Sequence, residues 1–302
     1  MKRSRKLITM VIVLAVFAGA YAVTSKYAND ESGTANEIDV ADITMDNLKK
    51  ISVSGYKDGI SLIKAEDEWK YDGDDKYPVN QVLAVSLAQK LTSLTATSKI
   101  EKPSNLADYG LDSPDKKITA VLEDGMAIVF ETGDINAVTQ ELYIKSSDGC
   151  VYLVSASFGS AFEVTKDSFL QKEIIPYVTP AEVSITTDGK TLTIKKDDKD
   201  VWRAGDEVLD TQKALEFASS LAYVSWLECV SYNADEAELN AAGFGEPSAE
   251  IYVKGDDDRD FKMIFGNKTE NEIFAKFENS SMFYTVDAQI AEFFITDTEK
   301  LK

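Results

Sequence analysis

The acidic run Asp256-Asp257-Asp258 with Asp260 is the densest cluster of cation-binding groups in this chain. Calcium needs six or more converging oxygens. The run has neither the glycine nor the distal glutamate of a calcium loop, and it falls where a hairpin turn is expected. It reads as a solvated turn. Asp72, Asp74 and Asp75 around Gly73, and Asp197, Asp198 and Asp200, have the same character. With 52 Asp and Glu in the chain, some carboxylate pair always falls at a suitable distance for glycoside cleavage, so spacing assigns none. Histidine is absent, which removes the commonest general base, the Ser-His and Cys-His nucleophile pairs and the imidazole ligands of most catalytic zinc sites. Cys150 at a hairpin turn and Cys229 after a helix hold non-equivalent places and read as two partly buried thiols rather than a disulfide. No G-x-S-x-G elbow, phosphate loop, H-E-x-x-H or C-x-x-C occurs. The sequence therefore assigns no catalytic residue, no cofactor-binding residue and no metal ligand, and a protein without enzymatic activity or cofactor is expected.

What the sequence does specify is repetition. Trp69 and Trp202 lie 133 residues apart, as do the turns GLDSP from Gly110 and GFGEP from Gly243, and as do Gly133 and Gly266. Three anchors at one offset predict one unit built twice. In the first copy, Ile51-Val53, Ile60-Leu62 and Trp69-Tyr71 alternate as short antiparallel strands. Pro78 precedes a helix over 79–94 whose apolar face is Val82, Leu83, Leu87, Leu91 and Leu94. Gly110 ends a helical turn in the left-handed conformation. Strands over 117–122, 127–131, 142–145 and 151–154 follow, with turns at Glu123-Asp124-Gly125 and Ser147-Asp148-Gly149. The second copy repeats the order, with a helix over 212–227 facing inward through Leu215, Phe217, Leu221, Val224 and Leu227, and strands over 251–253, 261–265, 273–276 and 283–286. Its many aromatic residues, Phe261, Phe265, Phe274, Phe277, Phe283, Tyr284, Phe293 and Phe294, read first as core, and they make this copy the expected partner surface.

Lys2, Arg3, Arg5 and Lys6 precede 17 residues without charge, Leu7 to Val23. As a helix this run is about 25 Å long, the short end of what spans a bilayer core of roughly 30 Å. The basic flank predicts a cytoplasmic N-terminus and an extracytoplasmic remainder. Ala18-Gly19-Ala20 and Ala20-Tyr21-Ala22 also match a signal-peptidase site; a retained anchor is the reading adopted. The expected fold class is α+β: an N-terminal transmembrane helix, then a tandem duplication of an α+β unit, each with antiparallel hairpin strands packed on one main helix. The expected segments are a tail at 1–6, an anchor at 7–24, a tether at 25–45 and units at 46–176 and 177–302. With the four N-terminal basic residues set aside, 28 Lys and Arg face 52 Asp and Glu, a formal charge of −24. Such a surface repels nucleic acid and anionic lipid headgroups.

The basic-apolar N-terminus, the DEW and DVW hairpins at Trp69 and Trp202, LADYGLDSP at 106–114 and LNAAGFGEP at 239–247 resemble the domain of unknown function 4340 family of membrane-anchored bacterial proteins. So do the strands leading to ETG at 131–133 and IFG at 264–266, and the LYI and IFA strands at 142 and 273. Phe244 stands where the first copy has Leu111. The resemblance carries no activity or site residue onto this chain. It implies an accessory role beside ATP-driven (ABC-type) export systems related to gliding-motility transporters.

The expectation is thus a membrane-tethered extracytoplasmic interaction protein whose partner is an envelope or transporter membrane protein. The alternative is a module holding a glycan or peptide in an aromatic cleft between the two repeats. A hydrolase working through carboxylates alone is a third reading, and it requires one acid with a raised pKa.

Overall fold

The computed structural model describes residues 37–55, 59–257 and 259–302. The basic tail, the apolar segment and most of the tether lie outside the described residues, as do Tyr56, Lys57, Asp58 and Asp258. Among the described residues no helix is long and apolar enough to cross a membrane. The described chain divides into two compact units, 37–72 with 81–169, and 73–80 with 170–302.

The first unit contains β1 (Ile38–Asp39), β2 (Leu48–Ser54), β3 (Ile60–Ala65), β4 (Glu68–Tyr71), α1 (Gln81–Thr92), β5 (Thr95–Ile100), β6 (Lys117–Leu122), β7 (Ala127–Ile135), β8 (Glu141–Ser146), β9 (Val151–Ser155) and α2 (Ala156–Ala161). Its strands form one nine-stranded sheet, β1-β5-β9-β8-β7-β6-β2-β3-β4. Strict alternation fixes the register: Leu48, Ile51 and Val53 of β2 and Ile118, Ala120 and Leu122 of β6 are all buried, and Ile51 pairs with Ala120. A slip of one residue would turn this set to solvent.

The second unit contains β10 (Pro180–Thr187), β11 (Lys190–Lys196), β12 (Trp202–Ala204), β13 (Glu207–Val208), α3 (Thr211–Ala222), β14 (Cys229–Ser231), α4 (Glu236–Ala241), β15 (Ala249–Gly255), β16 (Asp260–Lys268), β17 (Glu272–Phe277) and β18 (Phe283–Asp287). Its sheet runs β13-β12-β11-β10-β15-β16-β17-β18-β14. Read from β4, the first sheet has the order β4-β3-β2-β6-β7-β8-β9-β5, which matches β12-β11-β10-β15-β16-β17-β18-β14 strand for strand. The two sheets differ at their ends, where β1 pairs with β5 and β13 with β12.

This corrects the expected fold class. The protein is mostly β, built on two antiparallel nine-stranded sheets, and not an α+β unit of hairpins packed on a main helix. The hairpins fuse because β2 pairs with both β3 and β6, and β10 with both β11 and β15. Every strand edge inside the sheet is then satisfied by a neighbour, and the helices act as covers. The transmembrane part of that expectation lies outside the described residues.

The helix faces also differ from expectation. α1 buries Ala84, Leu87, Ala88 and Leu91, leaving Val82 79% exposed. α3 buries Ala214, Phe217, Ala218, Leu221 and Ala222, leaving Leu215 exposed. The stripe still runs at i, i+3, i+4 and i+7, but it starts at an alanine in both helices. Small side chains let the helix backbone lie close to the sheet, and larger neighbours are turned away.

Trp69 and Trp202 are 2% and 1% exposed. Each sits on a short strand near a sheet edge, and each edge is closed differently. The Gln81 side-chain amide accepts from the Trp69 N–H at 2.9 Å and donates to the Trp69 carbonyl at 2.8 Å, standing in for a neighbouring peptide group. At Trp202 real backbone takes that place: β13 pairs with β12, and the Leu209 N–H donates to the Trp202 carbonyl at 3.0 Å.

Candidate functional site

The largest concavity described in the first unit is assembled around the GLDSP turn. Asn105 caps the turn Leu106–Tyr109 by accepting from the Ala107 N–H, and Gly110 closes it with φ 67°. Leu111 then plugs the core at 1% exposure. Opposite, the β7–β8 register shifts between Thr132 and Ile135, and this bulge carries Gly133 and Asp134 under the turn. A Cβ on Gly133 would fall 2.1 Å from the Tyr109 carbonyl oxygen, and one on Gly110 would fall 2.5 Å from Asp134 Cγ. α2 forms the far wall, where a Cβ on Gly159 would meet Leu142 Cδ2 at 2.7 Å. These glycines are thus demanded by packing rather than by a ligand.

The resulting groove has a volume of about 600 Å³. The hydroxyl residues Ser113, Ser157 and Ser160 line it, together with the carboxylates of Asp115, Asp134 and Glu163. Lys116 reaches Glu163 at 3.2 Å in an exposed pair, a contact that contributes only about 0–1 kcal/mol. Three acids to one lysine leave the lining negative. Beside it stands an apolar lip, Ile135 and Val138, the latter 91% exposed. The lip is fixed: Asn136 Oδ1 accepts from the N–H groups of Val138 and Thr139 at 2.9 and 3.1 Å, and Asn136 Nδ2 donates to the Tyr143 hydroxyl at 2.6 Å.

The corresponding corner of the second unit is aromatic. Gly243 and Gly266 repeat the close approaches, with Asn267 and the Ala242 carbonyl as their neighbours. Phe244 there packs edge-to-face on Phe283 at 5.5 Å, and Phe274 does the same at 5.6 Å.

The acidic run behaves as a turn. Asp257 pairs with Arg259 Nε at 2.6 Å, Asp260 accepts from the Tyr252 hydroxyl at 2.9 Å, and the Asp256 N–H donates to the Thr179 carbonyl. Among the described residues no group of three or more Cys, Asp or Glu could hold a metal ion. Asp72 is held ionised below the usual carboxylate range by Lys50 and by the Ser61 hydroxyl. Hydrogen bonds from Arg203 and from the N–H groups of Lys199 and Val201 bring Asp197 down to about 2. Burial raises Glu131, but Lys117 and Lys145 more than offset it. These shifts run opposite to what a general acid needs.

Cys150 and Cys229 are thiols, not a disulfide. Burial, then the neighbouring Asp148 carboxylate, push the Cys150 thiol up, so it stays protonated and unreactive near neutral pH. Its neighbour Tyr152 donates to Asp148 at 2.6 Å and is pushed up to about 12 by burial and by that carboxylate. The aromatic residues expected to mark a partner surface serve the core instead: Phe261, Phe265, Phe283 and Tyr284 are buried, and Phe274, Phe277, Phe293 and Phe294 pack against them.

Fold and site together define a tandem antiparallel β protein with a polar, acid-lined groove in its first unit. The chain belongs to the family described as Domain of unknown function (DUF4340), whose sequence model matches residues 69–247, more than half of its length. No curated protein and no solved structure matches it.

Proposed function

We propose that this chain is a non-catalytic, membrane-tethered extracytoplasmic accessory protein of a transport assembly, and that the first unit's groove receives an extended basic segment of its partner. One observation carries the reading: an acid-lined groove lies beside a rigid apolar lip. Carboxylates of Asp115, Asp134 and Glu163 attract Lys and Arg, while Val138 offers apolar contact at little entropic cost because its loop is already hydrogen-bonded in place. The formal charge of −24 beyond the first six residues steers basic partners toward the whole surface.

The test is crosslinking in native membranes with an epitope-tagged chain, followed by mass spectrometry. Wild type is expected to recover one defined membrane complex. The exposed charge reversals Asp115→Lys and Glu163→Lys, combined, are expected to lose it without changing the melting temperature. Equal recovery by the double variant removes the groove from the interface, and recovery of the chain alone overturns the accessory role.

A further inference from the structure

A second site lies in the other unit, independent of the groove. Glu173 is pinned there through both of its backbone groups. Its N–H donates to the Tyr284 hydroxyl at 2.8 Å, and its carbonyl accepts from the Trp226 indole N–H at 3.0 Å. The two rings are themselves stacked, with centroids 4.3 Å apart and planes at 16°. Such an anchor fixes where the Glu173 carboxylate sits. Its Oε2 is buried and accepts no hydrogen bond from any described residue. A buried carboxylate oxygen without a donor is rare in folded proteins, because its desolvation is then uncompensated.

A cavity of about 280 Å³ opens beside this carboxylate. Phe261 and Phe277 form its apolar walls, their rings edge-to-face at 6.3 Å. Glu278, Asn279 and Lys262 stand at its rim. Two lysines are near, and both are engaged by other oxygens. Lys262 bridges Glu250 at 3.0 Å and Glu278 at 2.7 Å. Lys276 donates to the carbonyls of Phe277, Glu278 and Ser280 at 3.0, 3.0 and 2.9 Å. Glu173, Glu250 and Glu278 against these two lysines leave one negative charge in excess.

We propose that this cavity binds a primary alkylammonium group. The ammonium supplies N–H donors and the missing positive charge to Glu173, and the alkyl stem lies along the phenylalanine rings, whose faces favour a cation nearby. The group can come from a lysine side chain of another protein or from a free amine, and the test separates them.

The full chain is titrated with Nα-acetyl-lysine methylamide and, separately, with 1,4-diaminobutane, following the NMR resonance of the Trp226 indole N–H. A saturable shift with at least one probe is expected; the lysine derivative alone assigns a protein lysine, and the diamine alone assigns a free amine. Glu173→Gln keeps the shape and is expected to weaken binding by more than about tenfold. Lys262→Met, at the surface, removes a competing cation and is expected to tighten binding by roughly threefold. The proposal is overturned by the lack of a saturable shift with either probe, or by unchanged affinity in both variants.

Discussion

Gly133 lies so close under the carbonyl of Tyr109 that a Cβ would fall 2.1 Å from the oxygen, and Gly266 stands in the same relation to Ala242 at 2.2 Å. One backbone-on-backbone contact thus recurs at the interval of 133 residues that first marked the duplication. In both units it locks the turn before β6 or β15 onto the bulged strand that follows.

Gly133→Ala and Gly266→Ala are therefore expected to destabilise their units at the upper end of the roughly 1–3 kcal/mol of overpacking, or beyond it. Gly125→Ala makes the contrast. Its φ is +87° with nothing within 4 Å, so only the left-handed backbone is opposed, at about 1–2 kcal/mol. Urea melts rank the three; equal losses would mean that the close approaches are not real.

Gln81 satisfies both backbone groups of Trp69. Gln81→Ala is expected to lower stability by about 1–3 kcal/mol, the sum of two ordinary hydrogen bonds. Gln81→Glu keeps the acceptor but cannot donate to the carbonyl, so its loss should exceed half that of alanine. Hydrogen exchange at the Trp69 amide provides the readout, with faster exchange expected in the alanine variant.

Lys145 and Lys276 are equivalent residues in different surroundings. Lys145 pairs with Glu131 at 2.9 Å in a partly exposed position, whereas burial lowers the Lys276 pKa and three carbonyls hold its ammonium. Lys276→Met strips those carbonyls of their donor and is expected to cost about 1–3 kcal/mol. Lys145→Met is expected to cost about 1 kcal/mol or less. Chemical denaturation of the two variants distinguishes them, and the reverse ranking would contradict the buried assignment.

The depressed pKa of Asp197 gives a pH dependence with a definite sign. The folded state favours the ionised form, so the stabilisation is complete above the ordinary aspartate value of 3.8 and is lost as pH falls toward about 2. Asp197→Asn should melt below wild type at neutral pH, and the gap should close on acidification through that window. A gap that persists below the window would show that Asp197 acts through something other than its charge.

The features legible in the sequence were those set by one residue's backbone demand or by local alternation. Gly110 and Gly243 take positive φ where the turns require it, and Gly125 and Gly149 do so in their hairpins. Other elements depended on neighbours that local sequence does not name. Thr95–Ile100 has only Ala96 buried; it is a strand because β9 and β1 offer it hydrogen bonds on either side. Pro180 masked the strand it begins by looking like a linker. Without that strand the hairpins seem separate, which is how two sheets came to be read as α+β. The groove was invisible for a related reason. Its lining comes from 110–116, 132–135, Leu142 and 156–163, segments that no spacing rule links. Glu173 looked like an ordinary exposed acid until the fold pinned its backbone.

The most direct test of the accessory role is a photo-crosslinking amino acid placed at Ser160 in the groove, with Thr187 on β10 as the control position, in native membranes. One defined partner captured from position 160 and not from 187 is the predicted result. Capture that is equal at both positions, or confined to 187, would contradict the groove as the binding surface.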